Sequence, residues 1–152
     1  MRIALYEPEI AGNVGAVLRL GACMGTAVDL IEPMGFIWND RRVRRAAMDY
    51  IAHVEIARHA SFAAFRKTVA GCRLVLFTTK ATQSAYDFTY QPGDVLLFGK
   101  ESAGVPQDIA DLCDARVKIP LRAQVRSLNL ATATALALGE ALRQTDGLPQ
   151  SD

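Results

Sequence analysis

Short apolar runs alternate along the chain with longer stretches in which apolar residues recur every three or four positions. The short runs fit buried strands, whereas the longer pattern is typical of amphipathic helices. The predicted strands are Ile3–Tyr6, Ala27–Ile31, His53–Ile56, Leu74–Thr78, Val95–Phe98 and Arg116–Ile119. The predicted helices are Asn13–Met24, Arg41–Tyr50, Phe62–Ala70, Gln107–Cys113 and Asn129–Arg143. This alternation predicts an α/β fold with a mostly parallel sheet flanked by helices.

Single residues mark some of the predicted element ends. Ser61 is predicted to cap a helix N-terminus, and Gly25 and Gly71 are predicted to end helices. The polar composition of the loop 80–93 and of the tail from about Thr145 indicates segments that can be mobile.

The composition is that of an ordinary globular domain. A chain of 152 residues with 51% hydrophobic and 22% charged residues predicts one domain over residues 1–152. No apolar run is long enough to span a bilayer, and the first residues lack the features of a secretory signal. We therefore expect a cytoplasmic protein without a membrane partner.

The cysteines and histidines indicate no metal. Cys23, Cys72 and Cys113 are far apart and outside any Cys-x-x-Cys pattern, so we expect buried thiols and no disulfide or zinc site. His53 and His59 do not have helical ligand spacing and are expected to be surface or half-buried side chains.

Positive charge is concentrated at one place, although the net charge is only +1. Four arginines crowd one helical turn after Asn39-Asp40, namely Arg41, Arg42, Arg44 and Arg45. They form either a solvated face with Asp40 and Asp49 as partners or a contact for RNA phosphates. The sequence leaves both interpretations open.

Two loops predict a ligand pocket. Asp94–Phe98 runs into Gly99–Pro106, and Ile119–Leu121 leads to Arg126–Leu130 at the start of an alanine-rich helix. Both loops follow apolar strands, which is where an open α/β sheet places its ligand crevice.

The first helix presents a smooth face to a possible ligand. Gly12, Gly15, Ala16 and Arg19 line up on one side of the helix, apart from its apolar stripe. This face can admit a substrate or a partner backbone closely. Alternatively, the glycines shape a turn and Arg19 is an ordinary surface charge.

Common nucleotide-binding motifs do not match. Gly12–Gly15 lacks the dinucleotide fingerprint, and Glu101 stands where a phosphate-binding loop carries Ser or Thr. Since a carboxylate repels phosphate, the pocket better suits a ligand that is neutral or positive at its reacting end.

Together these segments resemble the SPOUT superfamily of RNA methyltransferases, specifically the small tRNA 2′-O-methyltransferases of the TrmL type that act on the wobble nucleoside. The first motif resembles the run from Tyr6 to Arg19, followed by Ile31–Phe36 and Arg44–Tyr50. The second resembles Leu97–Pro106, and the third resembles Ile119–Leu121 with Arg126–Ala131. The three motifs occur in family order and span nearly the whole chain.

The resemblance implies a SPOUT-type fold with a C-terminal trefoil knot, an obligate homodimer and S-adenosylmethionine as cofactor. The cofactor-binding residues that it implies are Phe77, Gly99, Gly104, Ile119, Ser127 and Leu128. The implied reaction is 2′-O-methylation of a wobble cytidine or uridine in tRNA. Without a separate RNA-binding domain, the dimer itself would hold the anticodon loop, with the four arginines and Lys100 as candidate contacts.

The catalytic residues carried over from the resemblance are Asn13, Arg19, Glu101, Ser127 and Asn129. Because a guanidinium is rarely deprotonated, we expect Arg19 to orient the ribose hydroxyl and stabilise a developing alkoxide. Glu101 is a rival candidate for accepting the proton or for holding Arg19. Ser127 and Asn129 can also act as helix caps.

Other functions remain compatible with the residues. One is a catalytically inactive RNA-binding module of the same fold, and another is methylation of a different tRNA or rRNA position. A third is an α/β enzyme that uses an adenosine-containing cofactor on a small molecule.

Overall fold

The computed structural model describes residues 1–39 and 41–150, so Asp40 and the last two residues of the tail lie outside the described residues. Six strands form one sheet: β1 (Arg2–Tyr6), β2 (Ala27–Ile31), β3 (Ile56–His59), β4 (Leu74–Phe77), β5 (Val95–Phe98) and β6 (Ala115–Val117). Their order is β3-β2-β1-β5-β4-β6, and every neighbouring pair is parallel. The predicted α/β fold is confirmed.

Within the described residues, five α-helices cover the two faces of this sheet. They are α1 (Ala11–Met24), α2 (Arg41–Ala47), α3 (Phe62–Thr68), α4 (Gln107–Asp111) and α5 (Leu130–Gln144), with a 3₁₀ helix at Met48–His53. Alternate side chains of each strand point to opposite faces. Ile3 and Leu5 of β1 therefore join the core under α1, α2 and α5, whereas Ala4 and Tyr6 join the core under α3 and α4.

The two central strands create a crevice at their carboxyl ends. The chain leaves β1 through α1 on one face of the sheet and leaves β5 through α4 on the other. Neighbouring strands whose connections diverge in this way leave room for a ligand between the loops that follow them. The segments after Tyr6 and Phe98 border this crevice.

Several element ends were predicted correctly. Ser61 caps α3 by accepting a hydrogen bond at Oγ from the Ala64 N–H at 3.1 Å. Gly25 ends α1 in the left-handed region, at φ 62°. Most helices and strands begin and end within two residues of their predicted bounds.

Two predicted elements were wrong. The helix predicted over Arg41–Tyr50 ends at Ala47, because Met48 adopts a φ of 55° and the chain tightens into the 3₁₀ helix. That helix extends through His53, so the strand predicted at His53–Ile56 begins only at Ile56, where it pairs with Val28 of β2.

Some side chains are also placed differently from the predictions. Cys23 is exposed rather than buried, and Cys72 and Cys113 are half-buried. His59 is buried, and its Nε2 lies 2.7 Å from Asp29 Oδ1. The loop 80–93 packs inward through Phe88 and Tyr90.

The described residues contain neither a membrane-spanning helix nor a metal-binding cluster. None of their helices is long and apolar enough to cross a membrane. No group of three or more of their His, Cys, Asp and Glu side chains could hold a metal ion.

Candidate active site

A pocket of about 650 Å³ lies at the carboxyl ends of β4, β5 and β6, bordered by the N-termini of α1 and α5. It collects residues from parts of the chain that are far apart in sequence. The predicted residues that line it are Asn13, Phe77, Gly99, Glu101, Gly104, Ile119, Ser127, Leu128 and Asn129. The structure therefore brings together every predicted cofactor residue and four of the five predicted catalytic residues.

The loop after β5 folds back on itself at two glycines. The backbone groups of Lys100 and Gly104 pair in an isolated antiparallel bridge, with N–H to O distances of 3.1 and 2.8 Å. A Cβ at Gly99 would lie only 2.4 Å from the Gly104 carbonyl carbon, and Gly104 itself has a φ of 67°. A side chain at Gly99 would therefore collide with the backbone of Gly104, and a side chain at Gly104 would strain its left-handed backbone.

Glu101 fastens this loop to the start of α1. Its carboxylate accepts hydrogen bonds from the backbone N–H groups of Glu9 at 2.8 Å and Ile10 at 3.2 Å, and from Asn13 Nδ2 at 3.1 Å. Three donors thus occupy the oxygens of Glu101. This geometry fits an anchor better than a proton acceptor.

Two acidic residues after β1 contact the loop after β5. Glu9 accepts hydrogen bonds from the Ser102 N–H and from its hydroxyl, both at 2.8 Å, and these bonds lower the pKa of the Glu9 carboxyl. Glu7 lies 2.9 Å from Lys100 Nζ, and its hydrogen bond raises the pKa of that amine. The two segments that border the crevice are therefore joined by reciprocal contacts.

Asn13 and Asn129 connect the N-termini of α1 and α5 across the pocket. Asn129 Nδ2 donates to Asn13 Oδ1 at 2.8 Å. The Oδ1 of Asn129 meanwhile caps α5, accepting from the N–H groups of Ala131 at 2.9 Å and Thr132 at 3.2 Å. The predicted cap at Asn129 is confirmed. The same side chain is the last of three hydrogen-bonded polar side chains, from Glu101 through Asn13 to Asn129.

Arg19 does not line the pocket of its own chain. It is exposed on α1. Its Nη1 lies 3.4 Å from Met48 Sδ, and its guanidinium carbon lies 5.1 Å from the centre of the Tyr50 ring. Glu101, for which holding Arg19 was one of two alternative roles, makes its described contacts with the start of α1 instead.

The four predicted RNA-binding arginines lie on α2, outside the pocket. All four are exposed. Arg44 donates from Nη2 to Asn39 Oδ1 at 2.6 Å. The structure thus presents a cationic surface next to the 3₁₀ helix that contacts Arg19.

Part of the pocket wall consists of residues that were not predicted as site residues. Thr78, Thr79 and Lys80 line the pocket directly after β4. The rule that ligand loops follow the carboxyl ends of parallel strands would have found them, because Leu74–Thr78 was itself a predicted strand. Ile10, which also lines the pocket and is 51% exposed, carried no recognisable signal.

The sheet order and the pocket with its hydrogen-bonded polar side chains define an α/β protein with a candidate ligand site at the carboxyl ends of its strands. The model of the SpoU rRNA Methylase family matches residues 1–139, and the chain belongs to this family. The predicted resemblance to RNA methyltransferases is thereby confirmed.

Two relatives are similar to this chain over nearly its whole length. A protein of Beijerinckia indica named tRNA (cytidine(34)-2'-O)-methyltransferase is 54% identical over 148 residues, which cover 96% of this chain and 92% of that protein. A solved structure described as "Structural insights into the 2-OH methylation of C/U34 on tRNA" is 41% identical, with a TM-score of 0.90 and 94% of each chain covered.

A more distant structure holds a cofactor. It is the SpoU methyltransferase AviRb from Streptomyces viridochromogenes in complex with AdoMet, which is 26% identical with a TM-score of 0.86. The match covers 95% of this chain and 57% of that chain.

Proposed function

We propose that this protein is an S-adenosylmethionine-dependent tRNA methyltransferase that modifies the ribose 2′-oxygen of the wobble nucleoside, cytidine or uridine at position 34. Similarity to relatives named for this activity extends over nearly the whole chain. The structural observation that carries the proposal is the pocket, in which three separated motifs meet.

The pocket fits S-adenosylmethionine in size and chemistry. Its volume of about 650 Å³ lies in the range of small-molecule and cofactor sites. Leu76, Phe98 and Ile119 offer apolar walls for a purine, and the loops at Gly99 and Ser127 offer backbone polar groups. When bound, S-adenosylmethionine would supply an electrophilic methyl group: the ribose 2′-oxygen forms a bond to the methyl carbon, the bond from that carbon to sulfur breaks to leave S-adenosylhomocysteine, and the hydroxyl proton passes to water.

The protein residues orient the ribose. Asn13 and Asn129 hold each other by a hydrogen bond at the pocket mouth, and Glu101 fixes Asn13. Preorganised polar groups of this kind reduce the cost of aligning the reactants. We assign Glu101 an anchoring role, and Ser127 a positioning role at the wall of the pocket.

Arg19 stabilises the ribose oxygen as its negative charge develops. A guanidinium holds its positive charge at all relevant pH values and presents several donors. Because Arg19 lies outside the pocket of its own chain, we propose that it completes the pocket of a second copy in a homodimer. The exposed apolar side chains Ile10 and Leu136, at the start of α1 and on α5, support such an interface.

The RNA backbone contacts the arginines of α2, by phosphate attraction rather than base reading. Their exposure supports this role, and their place beside the 3₁₀ helix brings them near Arg19. A tRNA substrate also places the site of action in the cytoplasm.

We further propose that residues 1–152 form one SPOUT domain whose C-terminal part is knotted. After edge strand β6 the chain returns to the centre of the sheet, where Leu138 of α5 joins the core that contains Leu96 of β5. Along the way Lys118 pairs with the loop 80–93, since its N–H donates to the Gln83 carbonyl oxygen at 2.9 Å. Passage through that loop would form the proposed knot.

The function is tested by incubating the protein with labelled S-adenosylmethionine and three acceptors: undermethylated tRNA, undermethylated rRNA and a cell extract freed of RNA. The proposal predicts label in tRNA alone. Label in rRNA or in a small molecule would establish one of the alternative activities. Binding of tRNA without any transfer would establish the inactive RNA-binding module.

A further inference from the structure

Arg19 is held by two side chains of the 3₁₀ helix. Its guanidinium carbon lies 5.1 Å from the centre of the Tyr50 ring, and its Nη1 lies 3.4 Å from Met48 Sδ. We infer that Tyr50, assisted by Met48, is a positioning residue that sets the direction in which Arg19 leaves α1. This inference rests on the proposed catalytic role of Arg19.

The contact arises from a close approach of two helices. A Cβ at Gly15 would lie 2.6 Å from both Ala46 Cβ and the Val43 carbonyl oxygen, so only glycine lets α1 and α2 touch here. Arg19 follows Gly15 by four residues, and Tyr50 follows Ala46 by four. One further turn along α1, together with the passage of the chain from α2 through Met48 into the 3₁₀ helix, brings Arg19 against Tyr50.

The backbone conformation of Met48 supports a role for the 3₁₀ helix in positioning Arg19. Met48 is 54% exposed and has a φ of 55°, a region that non-glycine side chains rarely adopt. Met48 lies outside the buried core, yet its sulfur lies against Arg19. Strained backbone of this kind occurs where the surrounding structure fixes a functional geometry.

The contacts leave the guanidinium able to act. One face of the guanidinium lies over the Tyr50 ring, and Nη1 lies against Met48 Sδ. No described protein group accepts a hydrogen bond from Nε or Nη2 of Arg19. An exposed arginine otherwise samples many rotamers, and ordering it on binding costs free energy. Stacking on an aromatic ring, which attracts the cation electrostatically, reduces that cost in advance.

The predicted signature is a loss in turnover rather than in binding. Tyr50→Leu removes the ring face and should lower kcat about tenfold or more, because a misdirected catalytic group loses stabilisation of the transition state. The KM for tRNA should stay within about twofold of its original value, since the ring itself contacts no RNA in this account. Tyr50→Phe keeps the ring and should retain kcat within about twofold.

A double-mutant cycle separates positioning from general stability. In an Arg19→Ala background, Tyr50→Leu should lower kcat little further, because the residue that it positions is gone. An independent readout is the NMR signal of the Arg19 side chain, assigned by its disappearance in Arg19→Lys. Ring-current shifts should persist in Tyr50→Phe and vanish in Tyr50→Leu.

Pentafluorophenylalanine at position 50 provides a second variant in case Tyr50→Leu does not fold. It keeps the aromatic shape but removes the negative charge of the ring face, so it should reproduce the loss in kcat. Full turnover of the Tyr50→Leu or the pentafluorophenylalanine variant, or an equal loss in Tyr50→Phe, would overturn the inference. Either result is compatible with wild-type methyl transfer to tRNA and an inactive Arg19→Ala variant, so the proposed function would stand. Full activity of Arg19→Ala would instead refute the role of Arg19 itself.

Discussion

Asn129 combines two tasks that a substitution can separate. Its Oδ1 caps α5, and its Nδ2 donates to Asn13 at the pocket mouth. A serine at this position can still cap the helix but is too short to reach Asn13. The residue thus allows stability and catalysis to be tested independently.

We predict that Asn129→Ala lowers the free energy of unfolding by about 1 kcal/mol through loss of the cap. Asn129→Ser should keep nearly all of that stability, yet lower kcat by about the same factor as Asn129→Ala. Urea denaturation and single-turnover methyl transfer measure the two effects. Full activity in Asn129→Ser would show that the link to Asn13 is unnecessary for catalysis.

The contact between Glu9 and Ser102 predicts a pH effect of definite sign. Hydrogen bonds from the Ser102 N–H and hydroxyl lower the pKa of Glu9 below its ordinary value of 4.5. A carboxyl whose pKa is lower in the folded state contributes stability above its unfolded pKa, and the contribution is lost as pH falls through the folded pKa. Acid should therefore loosen the loop after β5.

NMR titration of the Glu9 carboxyl carbon checks this effect. The midpoint should lie below 4.5 and should rise in Ser102→Ala, while staying below 4.5 because the backbone N–H of residue 102 still donates. Ser102→Thr, which keeps a hydroxyl, is the control. An identical midpoint before and after Ser102→Ala would rule out a contribution from the hydroxyl.

The elements show which features a sequence pattern can predict. The buried strands at the centre of the sheet, such as Val95–Phe98, were predicted with their observed bounds because both faces are covered and the run is wholly apolar. Edge strand β3 was misplaced by three residues, since it contains Arg58 and His59, and its position is set by pairing with β2. The turn at Met48 could not be predicted, because no glycine or proline lies at or near that position.

The packing of α1 against α2 gives a test at this scale. Gly15→Ala should destabilise the fold by about 1–3 kcal/mol, because the new methyl group meets the backbone of Val43 and the side chain of Ala46. Gly12→Ala is the matched control on the same helix, since nothing lies within 4 Å of its added Cβ. It should leave stability unchanged or raise it by about 0.5 kcal/mol.

Urea unfolding measures the free energy of unfolding of the two variants, and equal m-values show that the difference is one of stability. Equal stability of the Gly15→Ala and Gly12→Ala proteins would show that α1 and α2 can separate without cost. It would also remove the structural basis for the contact between Arg19 and Tyr50.

At the scale of the whole molecule, the sequence predicted which residues share the pocket but not where Arg19 lies. Loops after parallel strands converge whatever their side chains, so strand prediction and the three motifs sufficed for residues such as Gly99 and Ser127. Arg19 shares a helix with Asn13, but it lies six residues further along. Helical geometry carries it about 9 Å along the axis, away from the pocket.

A purified heterodimer tests whether Arg19 acts across a subunit interface. One chain carries Arg19→Ala and the other carries Asn129→Ser, with different affinity tags. If Arg19 completes the partner's pocket, one of the two sites is intact, and the heterodimer should show about half the wild-type rate. If it acts in its own chain, both sites are defective and the heterodimer should be as inactive as either homodimer. A monomeric protein by sedimentation would refute the dimer itself.

Transcripts altered at a single position test whether the methyl group goes to the 2′-oxygen of nucleoside 34. Wild-type protein, labelled S-adenosylmethionine and tRNA with a ribonucleotide at position 34 should give label that nuclease digestion assigns to a 2′-O-methylated nucleoside 34. The same tRNA with a 2′-deoxynucleotide at position 34 should give none, whereas a 2′-deoxynucleotide at position 32 should leave transfer intact. Label that persists in the tRNA lacking the 2′-hydroxyl at position 34 would refute methylation of that oxygen.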